Sequence, residues 1–334
     1  MDLKVFDLHS DLFTDIAFRK SNGEKNVFDR LHYPRLRKGL IDSVICVFWV
    51  EPEFRKDPLA RFNQLLQYVM EDLSTSKHAN ICISASDFLD SQKSAKVNII
   101  LGLEGMTFMK EWGKDSINEN VESAFEELHE KNIRHAIYAW NENNFLASGT
   151  GAYNETIHKG LSVTGKQATT IANAHHWIMD ASHLDEQSFW DLYNMSDQPI
   201  IASHSNAKAI CDHERNLTDE QMRAIASRGG LIGLNAHNEF IDKNQPSADR
   251  LIDHAVHMAN VVGPEHIGFG FDFLDFLTPH DLGDDFSGAT CGLERVEQVP
   301  ALLEKMKNRG FSSTDLEKIS FSNAFNFISK QLKG

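Results

Sequence analysis

A closed parallel barrel of eight strands and eight helices, (β/α)8 or TIM barrel, is the α/β fold this sequence predicts, and three observations predict it. Short apolar runs alternate with longer segments of helical spacing until eight runs have been counted, the order that a parallel sheet with crossover helices requires. No glycine-rich dinucleotide fingerprint follows the first run, which weakens the doubly wound open sheet, the runner-up architecture. Finally, His9, Asp11, Glu104, His183, His204 and Asp272 all stand where runs end, and in a barrel those ends converge on one mouth.

The expected strands are 3–8, 43–49, 97–103, 133–139, 177–181, 199–203, 231–235 and 267–271. In the segment opening at Pro58, Leu59, Phe62, Leu65, Leu66, Val69 and Met70 recur at helical spacing. Thr218 with Gln221 three residues later is a capping box that opens another helix. The stretch 251–262 is amphipathic, and 314–332 reads as a closing helix. Residues 143–165, rich in Asn, Gly, Ser and Thr, and 273–292, rich in Asp, Gly and Phe, read as long loops after the fourth and eighth strands. Segments that follow strands lie on the catalytic face of a barrel. No low-complexity tract or linker divides the chain, so 1–334 is expected to be one barrel domain.

Hydrophobic residues make up 41% of the 334 residues, enough for a sizeable core. Lys plus Arg total 33 against 48 Asp plus Glu, a formal net charge of −15. That balance argues against nucleic acid or an anionic membrane surface as partner, while leaving room for a small anionic substrate held by a local Arg. Cys46, Cys82, Cys211 and Cys291 are widely spread without a C-x-x-C pair, so neither a disulfide framework nor a cysteine zinc site is implied. No basic region followed by an apolar stretch opens the chain, and no stretch approaches the ~20 apolar residues of a membrane span. The expected compartment is the cytosol.

Taken singly, each candidate has a bland reading beside the functional one. Alternation along the first strand sends His9 and Asp11 to one side, where they can share a metal ion or simply end a strand with a capping Asp. Glu104 and Asp272 can be turn or cap residues, and His183 and His204 can be hydrogen-bonded structural residues. Together they change the odds. Three imidazoles and three carboxylates in one mouth would be costly without a counter-ion. Metal ions supply that charge and favour the deprotonated ligands. Five or six ligands are too many for one tetrahedral zinc but suit two ions sharing a carboxylate.

These residues resemble the membrane dipeptidase, or renal dipeptidase, family of zinc peptidases, peptidase family M19, of the metal-dependent hydrolase superfamily. The resemblance rests on Asp7-Leu-His9-Ser-Asp11, Gly102-Leu-Glu104-Gly105, Asp180-Ala-Ser-His183, Ser203-His204-Ser205-Asn206, Arg215-Asn216 and Gly268-Phe-Gly-Phe-Asp272-Phe273, in the family's order, with a 21-residue step from His183 to His204. It implies a barrel of the metal-dependent hydrolase type carrying two zinc ions per chain. His9 and Asp11 would hold the first ion, Glu104 would bridge, and His183 and His204 would complete the second. Related amidohydrolases often bridge with a carbamylated lysine; no Lys ends a predicted strand here, and Glu104 takes that place.

The implied chemistry is dipeptide hydrolysis. Two ions ~3.5–4 Å apart can hold a bridging hydroxide, its pKa lowered to roughly 7, for attack on the peptide carbonyl. Asp272 matches the proton shuttle. Arg215 matches the residue for the substrate's terminal carboxylate, which a guanidinium fork suits; without the motif it would read as a surface Arg in a charged turn. One departure concerns substrate: where better-known members carry a His after the fourth strand, this chain has Trp140, beside Asn141 and Asn144. An indole N–H donates one hydrogen bond and cannot become cationic. Asn141 is a candidate replacement donor, and Trp140 reads equally as a packing residue of the pocket. His135, His175, His176, His237, His254 and His257 are read as ordinary helix, core or surface residues. Two alternatives stay open: an amidohydrolase acting on another amide, lactam or ester, and a non-catalytic metal-dependent binding protein. The family commonly forms dimers, so a homodimer is compatible with the resemblance.

Overall fold

Strand β1 (Val5–Ser10) is buried along its whole length and pairs in parallel with β2 (Ile41–Trp49) on one side and with the last strand on the other. That last strand, β9 (Ile267–Phe269), meets β1 at Asp7 and Phe269. The computed structural model described here covers residues 3–112, 117–151, 159–277 and 288–332. From β2 the ladder runs directly to β4 (Val97–Glu104), in register from Ser43–Asn98 to Trp49–Glu104. It continues through β5 (Ile133–Ile137), β6 (Ile178–Asp180), β7 (Ile201–Ala202) and β8 (Leu231–Leu234) back to β9. Eight parallel strands therefore close, as the alternating pattern requires.

A ninth strand, β3 (Ala79–Ile81), pairs with the opening residues 97–99 of β4, below the point where β5 joins at Leu101. Three residues without a distinctive apolar run gave no sequence signal. The expected 3–8 strand extends to Ser10, so His9 lies inside β1 rather than beyond it. The β1–β2 register slips between Asp7 and Ser10, just where the chain turns into the mouth. The expected 177–181 and 199–203 strands shrink to three and two residues, because their following N–H groups leave the ladder for the carboxylate of Asp180.

The barrel interior is filled by Phe6, Leu8, Ile45, Val47, Ile100, Ile178, Ile201 and Leu231, against which Ala324, Phe327 and Ile328 of the C-terminal helix pack. A second, larger apolar layer lies between strands and surrounding helices. The helix Pro58–Thr75 starts on an Asp57 cap and runs beyond Met70. The Thr218–Gln221 box opens the helix Asp219–Ser227 as expected. The closing segment is helical in three parts, Ser313–Glu317, a π turn at Lys318–Ser322 and Asn323–Gln331.

Both long loops are partly outside the described residues, at 152–158 and 278–287. The first also ends sooner than expected: the Ser162 hydroxyl accepts from Gly165 N and starts the helix Val163–Ala174. In the second, Asp275–Leu277 forms a 3-10 turn. Among the described residues no helix is long and apolar enough to cross a membrane.

Candidate active site

At the C-terminal mouth of the barrel the six strand-end residues meet. One oxygen of Glu104, Oε1, lies 2.9 Å from His183 Nε2, 3.5 Å from His204 Nε2 and 3.6 Å from His9 Nε2. His9 Nε2 is also 3.4 Å from Asp11 Oδ2 and 3.9 Å from Asp272 Oδ1. Two ligand triplets result, His9–Glu104–His204 and His9–Asp11–Asp272, each with donor atoms within 4.8 Å of one another. The second triplet puts Asp272, matched from sequence to a proton shuttle, within ligand reach of the same centre.

The donor set fits divalent metal. Nε2 of His9, Nε2 of His204 and Oδ1 of Asp11 are buried with no hydrogen-bond partner among the described residues, a costly state for polar atoms unless an ion completes them. Mixed imidazole and carboxylate donors suit zinc. Burial alone would lower the His9 pKa, but the carboxylates of Glu104 and Asp11 outweigh it and push His9 up to about 10; the cluster favours positive charge at its centre. His183 and His204 are held well below their ordinary values, first by burial and then by nearby cations. They are therefore neutral, the form that coordinates.

The neighbours of the ligands orient them. His183 Nδ1–H donates to Asn141 Oδ1 at 2.8 Å, which leaves the Nε2 lone pair facing Glu104. His204 Nδ1 meets Ser203 Oγ at 2.7 Å in the same way. Asn141, expected to touch substrate, lines the cavity, but its oxygen is committed to His183. His183 and Asp272 are among the few non-glycine residues with left-handed backbone, φ +67° and +57°. Such positions cost on the order of 1–3 kcal/mol and persist where surrounding contacts hold them.

Two buried carboxylates that sequence reasoning left without a role supply such contacts. Asp180 Oδ1 accepts from Ser182 N at 2.9 Å and from Ser203 N at 3.0 Å, while its Oδ2 accepts from His135 Nε2 at 2.8 Å. Burial would raise Asp180, but the bond from His135 and the other hydrogen bonds outweigh it and its pKa is lowered. Asp7 Oδ1 accepts from His9 N at 3.3 Å and Phe271 N at 2.9 Å; burial pushes Asp7 up to about 7. An aspartate inside an apolar strand was the available signal.

Beside the cluster opens a cavity of about 180 Å³, walled by Trp49, Trp140, Phe240, Leu274 and Leu277 and reached by Arg215, Asp272 and Glu104. Arg215 is buried, not a surface residue. Its guanidinium lies 5.2 Å from the Phe240 ring, its Nη2 donates to the His204 carbonyl at 3.4 Å, and its Nε has no hydrogen-bond partner among the described residues. Trp140 leans on Trp49 and His183, at 5.3 and 5.9 Å between ring centroids, with Arg55 5.2 Å from its ring. Asp272, pushed up to about 6 chiefly by burial, accepts a bond from Asn235 at 3.1 Å. His237, read from sequence as ordinary, lines this cavity, as does His213. His254 is a buried brace away from it.

Comparison with known proteins gives a consistent picture. The family model described as membrane dipeptidase, peptidase family M19, matches residues 1–332. An uncharacterized protein of the pqqA 5′ region of Klebsiella pneumoniae is 28% identical over 252 residues, 73% of this chain and 85% of that protein. The dipeptidase tcpJ of Claviceps purpurea is 28% identical over 267 residues, 79% of this chain; the chain spans only 57% of that relative's length. A solved metallopeptidase from Rhodobacter sphaeroides, liganded with a phosphinate mimic of the dipeptide L-Ala-D-Ala, shares the fold with TM-score 0.82 at 20% identity, over 98% of this chain and 99% of that one.

Proposed function

The chain belongs to the membrane dipeptidase family, peptidase family M19, and on that premise we propose that it is a binuclear zinc dipeptidase. His9 and Asp11 would hold one ion and His183 and His204 the other, with Glu104 shared between them. The observation that carries this reading is the single Glu104 oxygen facing three imidazoles, two of which, with Asp11, have buried polar atoms without a partner among the described residues.

When bound, the two ions would supply a hydroxide at neutral pH and polarise the scissile carbonyl. The chain's own residues do the rest. Arg215, buried and with an Nε that has no partner among the described residues, receives the terminal carboxylate of the dipeptide. Asp272 faces the cluster at 3.9 Å from His9 and carries a proton from the nucleophile to the leaving amine. Trp140 and Phe240 wall the cavity, which at about 180 Å³ suits a small substrate. The Rhodobacter neighbour's ligand makes X-D-Ala dipeptides the first substrates to try.

The test is a zinc-loaded screen of dipeptides with L- and D-residues at the C-terminal side, with metal analysis of the same protein. About two zinc ions per chain are expected, and Asp11→Ala or His183→Ala lowers that number. Normal metal content and activity in Glu104→Ala protein would sink the bridging role. A second reading, hydrolysis of another amide, lactam or ester, is favoured by the indole of Trp140, which walls the cavity 5.9 Å from His183 where the resemblance implies an imidazole; turnover of such compounds without dipeptide turnover would select it. Background turnover with zinc restored would instead select a binding protein.

A further inference from the structure

Asp7 and Asp180 occupy equivalent positions in two halves of the mouth. Each sits in a strand, and one oxygen of each accepts two backbone N–H groups. The first belongs to the residue two places on, His9 for Asp7 and Ser182 for Asp180. The second belongs to the neighbouring strand end, one residue before a site side chain: Phe271 before Asp272, and Ser203 before His204. Each carboxylate thus ties two strand ends that carry site residues, and each tie holds one left-handed residue, Asp272 in the first and His183 in the second.

We propose that Asp7 and Asp180 are positioning residues that each preset one ion site, Asp7 that of His9 and Asp11, and Asp180 that of His183 and His204. The proposal rests on the two-ion reading above. Its physical basis is that ligand atoms must be held to a fraction of an ångström, and outer partners that fix them are typically worth 10–100-fold in metal affinity. The N–H groups of Ser182, Ser203 and Phe271 point to these carboxylates; a buried N–H needs such a partner, and a left-handed non-glycine residue relaxes unless held. Asp180 is itself pinned by His135, which enters the barrel only because residue 102 has no side chain: a Cβ there would lie 2.5 Å from His135 Nδ1.

The experiment is stepwise zinc titration of the metal-free full chain by calorimetry, repeated with Co(II), whose absorption reports each site's geometry. The wild-type protein is titrated first; binding of fewer than two ions there overturns the binuclear reading itself, before any variant is examined. With two ions bound, Asp180→Ala is expected to weaken one ion 10–100-fold, the one also lost in His183→Ala, and leave the other within about twofold. Asp7→Ala weakens only the ion lost in Asp11→Ala. Asp180→Asn and Asp7→Asn keep an acceptor oxygen without the charge; they weaken the same single ion by a smaller factor and serve where an alanine variant does not fold. Equal weakening of both ions, or of neither, overturns the proposal.

Discussion

The side-chain amide of Asn235 donates to Asp272 Oδ2 across 3.1 Å and lies 3.4 Å from the carbonyl oxygen of His204. Asn235 is completely buried and is itself fixed by Asn206, which accepts from its N–H at 3.0 Å and donates to its carbonyl at 2.9 Å. With Oδ2 so occupied, Oδ1 of Asp272 is the oxygen turned towards His9.

Asn235→Ala frees that carboxylate to rotate away from the position where it exchanges protons. The loss of one hydrogen bond to a buried charged group is about 1.5–3 kcal/mol, or about 10–150-fold in rate if it is felt only in the transition state. Steady-state kinetics should show that fall in kcat with KM within about twofold and zinc content unchanged. A rise in KM with kcat preserved would place Asn235 in substrate binding instead.

Arg215 should be replaceable by neither Lys nor Ala. A lysine keeps the charge but not the planar fork, and kcat/KM for dipeptides is expected to drop about 10²-fold for Arg215→Lys and on the order of 10³-fold for Arg215→Ala. The decisive comparison uses a dipeptide whose C-terminus is an amide. Wild type and variants should then converge, because the group that Arg215 serves is gone; a gap that persists with the amide assigns Arg215 to holding the His204 loop through its 3.4 Å bond.

What the sequence made legible follows from range. Ligand side chains at strand ends were readable because strands are local and a barrel gathers their C-terminal ends. His9, Glu104 and His204 needed no knowledge of tertiary pairing to be singled out. Asp7 was opaque for the opposite reason: its partner Phe271 lies 264 residues away. The same holds for His135, which reads as one more polar residue in a strand until Asp180 is seen 2.8 Å from it. Without the motif Arg215 would read as a surface residue, since it closes the charged turn Asp212-His-Glu-Arg215; only the fold turns it inward.

Stability should fall below neutral pH through His254. Its Nδ1 accepts from Ala207 N at 3.1 Å and its Nε2–H donates to the Ile241 carbonyl at 2.9 Å, so the folded state requires the neutral ring. Burial, the largest cause, lowers its pKa to about 4, against about 6.5 for an unfolded histidine. The unfolded chain therefore binds the proton first. The contribution is complete above pH ~6.5 and is lost as pH falls to about 4, about 3 kcal/mol across that window. Urea unfolding of wild type and His254→Gln at pH 7 and pH 4.5 checks it: the gap between the two proteins should narrow at the lower pH. A constant gap would remove His254 as the cause.

Gly102→Ala should act through His135 rather than through its own strand. The added methyl would stand 2.5 Å from His135 Nδ1, with His135 Cγ and Ile45 Cγ2 each at 3.2 Å, and the ring cannot retreat while it is buried and bonded to Asp180. Overpacking of this kind costs about 1–3 kcal/mol. The source of the cost is separable with a double-mutant cycle. In a His135→Ala background the space is open, and Gly102→Ala should then cost less than about 1 kcal/mol, allowing for the contact with Ile45. Urea midpoints of the four proteins give the coupling directly. If Gly102→Ala costs the same in both backgrounds, the glycine is required by the packing of Ile45 and not by the path from His135 to Asp180.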